Sequence, residues 1–338
     1  MSDTTDRLPV AAEPKRHSWL ADLVIRLVKE KPLGAFGGLI VLLLLFTGIF
    51  ADFHYLTWVG VPDEWADTHG LAPYGYNEFN MADKLAAPSA KYWLGADNLG
   101  RDLLSRIIHG ARISMYVGLG ATAISVLVAT IIGSISGYLG GKFDIIAQRF
   151  VDAWLCFPGL IFLLAIMALV GPGLVQVIIV LGVSSGIGSS RLVRSAVIAI
   201  KENVYVQAAK AIGASTGRIV FRHLLPNIMA LVIVMFTLGM AGMILTEASL
   251  SFLGLGIPPP VPSWGGMLSQ AGRTYMYEAP WLAIWPGVAL TLVVYGISMW
   301  GDAVRDILDP RLRGGVGRYG GVKVKAAKVR GEPGTTKA

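Results

Sequence analysis

Five stretches of this chain, residues 33–51, 113–141, 153–190, 228–246 and 279–301, contain no Asp, Glu, Lys or Arg. A helix needs about 20 apolar residues to cross a hydrocarbon core of about 30 Å. Four of the runs suit one crossing each, 113–141 with room for a tilt. The run 153–190 is too long for one and is broken by Gly171-Pro172-Gly173, so it reads as two helices. In lipid only helices and closed barrels satisfy their own backbone, and these runs lack the strict alternation of barrel strands. The expectation is an all-α integral membrane protein with about six transmembrane helices. Composition agrees, since 15% of the residues are charged against about 25% in soluble domains.

Lys and Arg orient the spans. With the N-terminus in the cytoplasm, segments 1–32, 139–152, 188–227 and 301–338 carry 23 of the 29 basic residues and the opposite side carries 6. Arg101, Arg106 and Arg112 run against that bias, but eight acidic residues share their loop and long loops weigh little in the rule. The net charge of +7 is therefore read as topology and contact with anionic membrane lipid, and no nucleic-acid partner is expected. The organisation expected is a cytoplasmic segment 1–32, a first span 33–51 acting as an uncleaved anchor, and an outer loop 52–112. A core 113–302 follows, with a cytoplasmic loop 201–227, and then a basic cytoplasmic tail 303–338 of disordered composition. The single cysteine, Cys156, can form no intrachain disulfide and reads as a packing residue of the third span.

Two loops carry pattern. In the outer one, Asp97 or Asn98 is placed to cap a helix with Leu99, Leu103, Ile107, Ile108 and Ala111 at helical spacing, expected to lie at the membrane surface. In the cytoplasmic one, Tyr205, Ala208, Ala209 and Ile212 fall at i, i+3, i+4 and i+7, with Gln207 and Lys210 turned away. Gly213 is placed to end that helix in a left-handed cap. Ser215 or Thr216 starts another short helix, and Pro226 opens the fifth span. A short amphipathic helix outside the membrane is either a linker on the surface or a helix for a partner's groove. The two alanines favour the groove, because they allow close backbone approach.

At this loop the sequence resembles the permease subunits of bacterial ABC importers. Their hallmark loop has Glu-Ala-Ala, a Gly after three further residues, and a Leu-Pro about a dozen residues on; here Gln207-Ala208-Ala209, Gly213 and Leu225-Pro226 hold those places. Gln207 stands where the motif has Glu, which removes any salt bridge from that position but not the docking. Segments 94–106 (LGADNLGRDLLSR), 247–265 (EASLSFLGLGIPPPVPSWG) and 301–312 (GDAVRDILDPRL) are similar to the dipeptide, oligopeptide and nickel branch, in particular its "C" type peptide permease. The resemblance implies the type I importer permease fold. It also implies a second homologous permease, two ATPase subunits that bind ATP and Mg and dock on the loop helix, and an extracytoplasmic solute-binding protein. The substrate class it implies is peptides, with nickel or another small solute as the alternative; an ion-coupled carrier is the competing class. The chain has no Walker A motif, since Gly141-Lys142 is followed by Phe143 and lacks the upstream Gly. No catalytic residue, metal site or cofactor of its own is therefore expected.

Ionisable residues inside membranes are functional candidates, and few occur here. Glu247 ends the fifth span and reads either as a gate or pathway residue or as an interfacial cap. Asp302 and Asp152 are expected to pair with Arg305 and Arg149. His223, beside Arg222, reads as a helix-end donor near the ATPase contact. His54 and His69 share the outer loop without a carboxylate pattern for nickel. Pro158 and Gly159 interrupt the third span near its cytoplasmic end, as a simple bend or as a gate. Gly133, Gly137 and Gly141 read as a close-packing stripe.

Overall fold

The computed structural model describes residues 27–52 and 70–308. His54, His69, most of the segment 1–32 and the tail beyond Leu308 lie outside them. Among the described residues there is no strand, and eight helices carry the fold: α1 (Pro32–Phe50), α2 (Leu103–Leu139), α3 (Gly141–Leu155), α4 (Gly159–Val170), α5 (Leu174–Lys201), α6 (Val204–Ala211), α7 (Leu225–Phe252) and α8 (Trp281–Leu308). Five spans are long and apolar enough to cross a membrane: α1, α2, α5, α8 and the stretch 216–252 that contains α7. The bent pair α3–α4 is the sixth candidate. The protein is a multi-pass membrane protein. One end of the bundle carries the loop 70–102 and is called the loop face; the other carries α6 and is called the basic face.

Glycine decides which helices meet. Apolar side chains gain nothing from leaving lipid for one another, so close backbone approach supplies the attraction. A Cβ on Gly133 would stand 2.6 Å from the Ser190 carbonyl oxygen, one on Gly182 2.6 Å from Ile124, and one on Gly186 2.7 Å from the Ser125 carbonyl oxygen. These contacts rise together along both chains, so α2 and α5 run parallel and interlock. Gly34 and Gly37 of α1 meet α8 at Ala303 and Gly296 in the same manner, antiparallel. The apolar cores of these two pairs join through α7, whose Met240, Ala241 and Ile244 lie in one cluster and Met243 and Leu250 in the other. Gly141 takes no part in the stripe expected of it. It has nothing within 4 Å of a Cβ and a φ of +56°, and it serves the turn between α2 and α3.

Two parallel helices need a return segment, and α3–α4 supplies it in an unusual form. The two helices meet at 89°. Asp144 of α3 bonds Arg194 at 2.6 Å, and Asp152 pairs with Arg191. Eight residues of α3 are thus matched to three of α5, so α3 lies across the bundle rather than along it. Its end, Leu155, packs on Gly188, midway along α5. The break at Pro158 therefore sits at mid-height, not near the end of the span as expected. Cys156 is exposed in the bend and not packed inside a span.

The loop face also departs from expectation. Residues 97–111 form no separate surface helix. Asp102 caps α2, accepting from the Ser105 amide at 2.7 Å, and the helix then runs unbroken to Leu139. Arg101 bonds Asp97 at 2.7 Å, Arg106 donates to the Tyr76 carbonyl at 2.9 Å, and Arg112 reaches Asp52 at 2.7 Å and the Gly48 carbonyl at 2.8 Å. The arginines that ran against the charge bias are therefore consumed in pinning the loop and the end of α1 onto α2. Further out, Asp83 accepts from Lys91 at 2.6 Å, Tyr92 at 3.0 Å and Asn80 at 2.8 Å.

The glycine contacts set a first prediction. Gly133→Val places side-chain atoms against backbone, and overpacking of this kind costs about 1–3 kcal/mol. Thermal unfolding of the purified protein in detergent should shift down accordingly. Gly242→Ala, where a Cβ meets nothing within 4 Å, should be neutral or slightly stabilising. A second concerns pH. The Lys91 hydrogen bond holds the Asp83 carboxyl below its ordinary value of 3.8, so its contribution is complete above that value and is lost as pH falls through the lower, folded value. Amide exchange across residues 81–92 should accelerate on acidification below pH 3.8, and Asp83→Asn should remove that pH step.

Candidate functional site

The basic face presents α6. Asn203 precedes it in extended conformation, and Gly213 ends it with a φ of +82°, a conformation that favours glycine because a Cβ would clash. The Ser215 hydroxyl then accepts from the Arg218 amide at 3.4 Å, starting the turn Thr216–Ile219. The chain passes through a π-helical turn at Val220–Leu224 into α7, with Pro226 in its first turn, where a missing amide costs nothing.

The apolar residues of α6 divide between two faces. Val206 and Ala209 are buried, and Val206 packs in a cluster with Ile219, Leu224 and Val197. Tyr205, Ala208 and Ile212 face outward with Val204; Val204 is 85% and Ile212 86% exposed. Ala209 thus belongs to the anchoring face, not to the outward stripe expected of it. Val204, which the i, i+3, i+4, i+7 pattern passes over, takes its place, and Phe221 adds a further exposed ring. Three of the four expected positions thus face outward, and the one misplaced follows from a helix short enough to bury only two side chains. His223 is half-buried, its ring 6.4 Å from that of Tyr205. The Gln207 side chain secures the helix, its Nε2 donating to the Lys201 carbonyl at 3.0 Å and so tying α6 to the last turn of α5. Ionised glutamate has no proton to donate there.

A second feature lies in the bundle. A cavity of about 730 Å³ opens between α2, α5, α7 and the α3–α4 bend, within the range of small-molecule sites. Trp154, Phe157 and Phe162 form its wall at the bend, and Ser184, Ser185 and Ser189 of α5 form the wall opposite. Pro158 caps α4 between two lining residues, Phe157 and Gly159, so the break shapes this wall. Arg305 is the one charged residue among the described residues that line it.

Glu247 is not a wall residue. It is 1% exposed, accepts from the Ser251 hydroxyl at 2.6 Å, and Ser251 in turn accepts from the Ile257 amide at 3.1 Å. Its carboxyl organises the loop after α7. Asp152 pairs with Arg149, as expected, and also with Arg191; among the described residues Asp302 and Arg305 form no pair. No group of three His, Cys, Asp or Glu converges on a metal-sized site among the described residues. The cavity was not anticipated from the sequence, although the serines at 184, 185 and 189 within a charge-free run were a visible signal for it.

Residues 129–314 match the family described as binding-protein-dependent transport system inner membrane component, and the chain belongs to that family. Its bundle is the type I importer permease fold. The chain is 42% identical over 243 residues to the dipeptide transport system permease protein DppC of Alkalihalophilus pseudofirmus, covering 72% of this chain and 80% of the relative. It is 39% identical to the glutathione transport system permease protein GsiD of Pectobacterium atrosepticum, covering 72% and 81%. It is also 39% identical over 287 residues to the di/tripeptide transport system permease protein DppC of Pseudomonas aeruginosa, covering 83% and 89%.

The Gln207 bond yields a test. Gln207→Glu should raise amide exchange across residues 203–213 about twofold to fivefold, the low end of what a lost hydrogen bond is worth, with exchange in α7 unchanged. Identical exchange in the two proteins would mean that the bond holds nothing.

Proposed function

We propose that this chain is the membrane-spanning permease subunit of an ATP-driven importer of short peptides. The single observation that carries the mechanism is α6: its inner face is locked into the bundle while Val204, Tyr205, Ala208 and Ile212 stand out in water. Exposed apolar patches of this kind mark docking sites, and anchors one turn apart suit a groove. The occupant we assign is an ATPase subunit, which binds ATP and Mg; two such subunits serve this chain and a second homologous permease. A solute-binding protein delivers substrate at the loop face. The basic face is cytoplasmic, with both termini on that side, in accord with the excess of Lys and Arg there.

The sequence of events follows from the packing. Closure of the ATPase pair on nucleotide draws on α6. The Gln207 bond and the packing of Val206 on Val197 pass that displacement to α5, whose serines line the cavity. Access to the pathway between the two permeases then alternates between the faces. The peptide reading is supported by the relatives named for dipeptides, glutathione and di/tripeptides, and by walls that offer hydroxyls and aromatic rings.

The test is uptake of labelled di- and oligopeptides by proteoliposomes holding the whole complex, against labelled nickel, with and without ATP. Peptide uptake should require ATP and should be lost with deletion of 203–213. Ile212→Asp, which puts a charge into the docking face, should lower ATPase co-purification tenfold or more while leaving the permease folded. Nickel uptake alone would overturn the substrate, and uptake without ATP would overturn the mechanism.

A further inference from the structure

Several charges on the basic half of the bundle are held by partners, and none of these lines the cavity. Arg191 and Arg149 are held by Asp152, Arg194 by Asp144, and Lys31 by Asp306 at 2.7 Å. Lys201 donates to the Gly137 carbonyl at 3.0 Å. Lys142, Lys210, Arg218 and Arg222 also lack a side-chain partner among the described residues, but Arg305 is the cation that lines the cavity. It is exposed, it lines the cavity at the end nearest the basic face, and among the described residues it has no ion pair or hydrogen bond. Neither acid of its own helix holds it: Asp306 is bound to Lys31, and Asp302 makes no ion pair with it.

The cavity is therefore asymmetric in a chemically readable way. Its body offers apolar and aromatic surface with hydroxyls from α2, α5 and α7, and no carboxylate among the described residues that line it. Its end nearest the basic face offers one guanidinium. Such walls suit a molecule with a neutral, amide-bearing body and one anionic end, and they give a cationic end nothing to pair with. A guanidinium binds a carboxylate through two parallel hydrogen bonds, which a lysine cannot reproduce.

Resting on the peptide-import reading, we propose that Arg305 binds the C-terminal carboxylate of a peptide in the cavity, so that peptides pass this subunit with the carboxylate toward the basic face. The free amino end then points away from the basic face. Arg305 is a substrate-binding residue in this account. A guanidinium at a membrane surface also suits the phosphate of an anionic lipid, and the experiment separates the two sources.

The whole complex is reconstituted in phosphatidylcholine vesicles with and without phosphatidylglycerol. ATP-driven uptake of a labelled tripeptide is compared with that of its C-terminal amide for wild type, Arg305→Gln and Arg305→Lys. The solute-binding protein is the same throughout, so its own preference cancels when the acid-to-amide ratio is compared between variants. Arg305→Gln should lower that ratio about tenfold or more, the loss expected for a charge-assisted bond. It should lower amide uptake far less than acid uptake and leave complex yield unchanged, with Arg305→Lys between the two and no dependence on phosphatidylglycerol. An equal loss for acid and amide overturns the proposal and makes Arg305 structural. A loss seen only with phosphatidylglycerol overturns it in favour of lipid. Absence of ATP-driven peptide uptake by the wild type overturns the peptide reading itself, an outcome distinct from the other two.

Discussion

The parallel contact of α2 and α5 sets the geometry of everything around it. Helices in lipid gain little by burying apolar side chains against one another, so a stable pair needs backbones near enough for dispersion and weak Cα–H contacts to add up. Gly133, Gly137, Gly182 and Gly186 provide that approach, two from each helix. Because the pair is parallel, the chain between Leu139 and Leu174 must recross the bundle within about 34 residues. It does so with an oblique helix and a short upright one. At about 1.5 Å per residue, α4 rises only about 18 Å, and the volume that a full span would fill beside α5 is left as the cavity. Close packing at one seam thus produces open space next to it.

Charge placement solves a related problem at the loop face. Arg101, Arg106 and Arg112 lie within or beside a helix that enters the bilayer, where an unpaired cation is costly. Each is matched by Asp97, Asp52 or a backbone carbonyl supplied by residues that the sequence places up to 64 positions away. These bonds also hold the end of α1 on α2, so the first span is fixed at both ends, by charge at the loop face and by Gly34 and Gly37 against α8 near the basic face.

Much of this was legible in the sequence, and the failures have a common cause. The charge-free runs marked where lipid-facing helices occur, Gly171-Pro172-Gly173 marked a break, and Gly213 marked a cap, because each depends on residues local to it. The unbroken entry of α2 was read as a surface helix because the partners of its arginines are remote. The half-height position of Pro158 depends on the Asp144–Arg194 and Asp152–Arg191 pairs, which no local pattern reveals. On α6, periodicity found the helix but placed Ala209 on the wrong face. Eight residues are too few for a hydrophobic period to say which side is inside. Arg305 lies in a motif that was read for family resemblance, and its lack of a partner is visible only once Asp306 is seen bound to Lys31.

The same seam that opens the cavity also links it to the basic face. α5 carries Ser184, Ser185 and Ser189 into the cavity, Gly182 and Gly186 into α2, and Arg191 and Arg194 onto α3, and it ends at the carbonyl that Gln207 grips. A displacement of α6 therefore cannot move α5 alone. Sliding α5 past α2 would drive the Ser190 and Arg194 backbone across Gly133, where there is no spare room, so α2, α3, α5 and α6 respond as one body. Away from the loop face, where α1 is pinned to α2, that body meets the α1–α8 pair across α7, whose open-sided Gly242 offers the softer boundary. Motion started at α6 is expected to be taken up along α7, on the side of the cavity that carries Arg305.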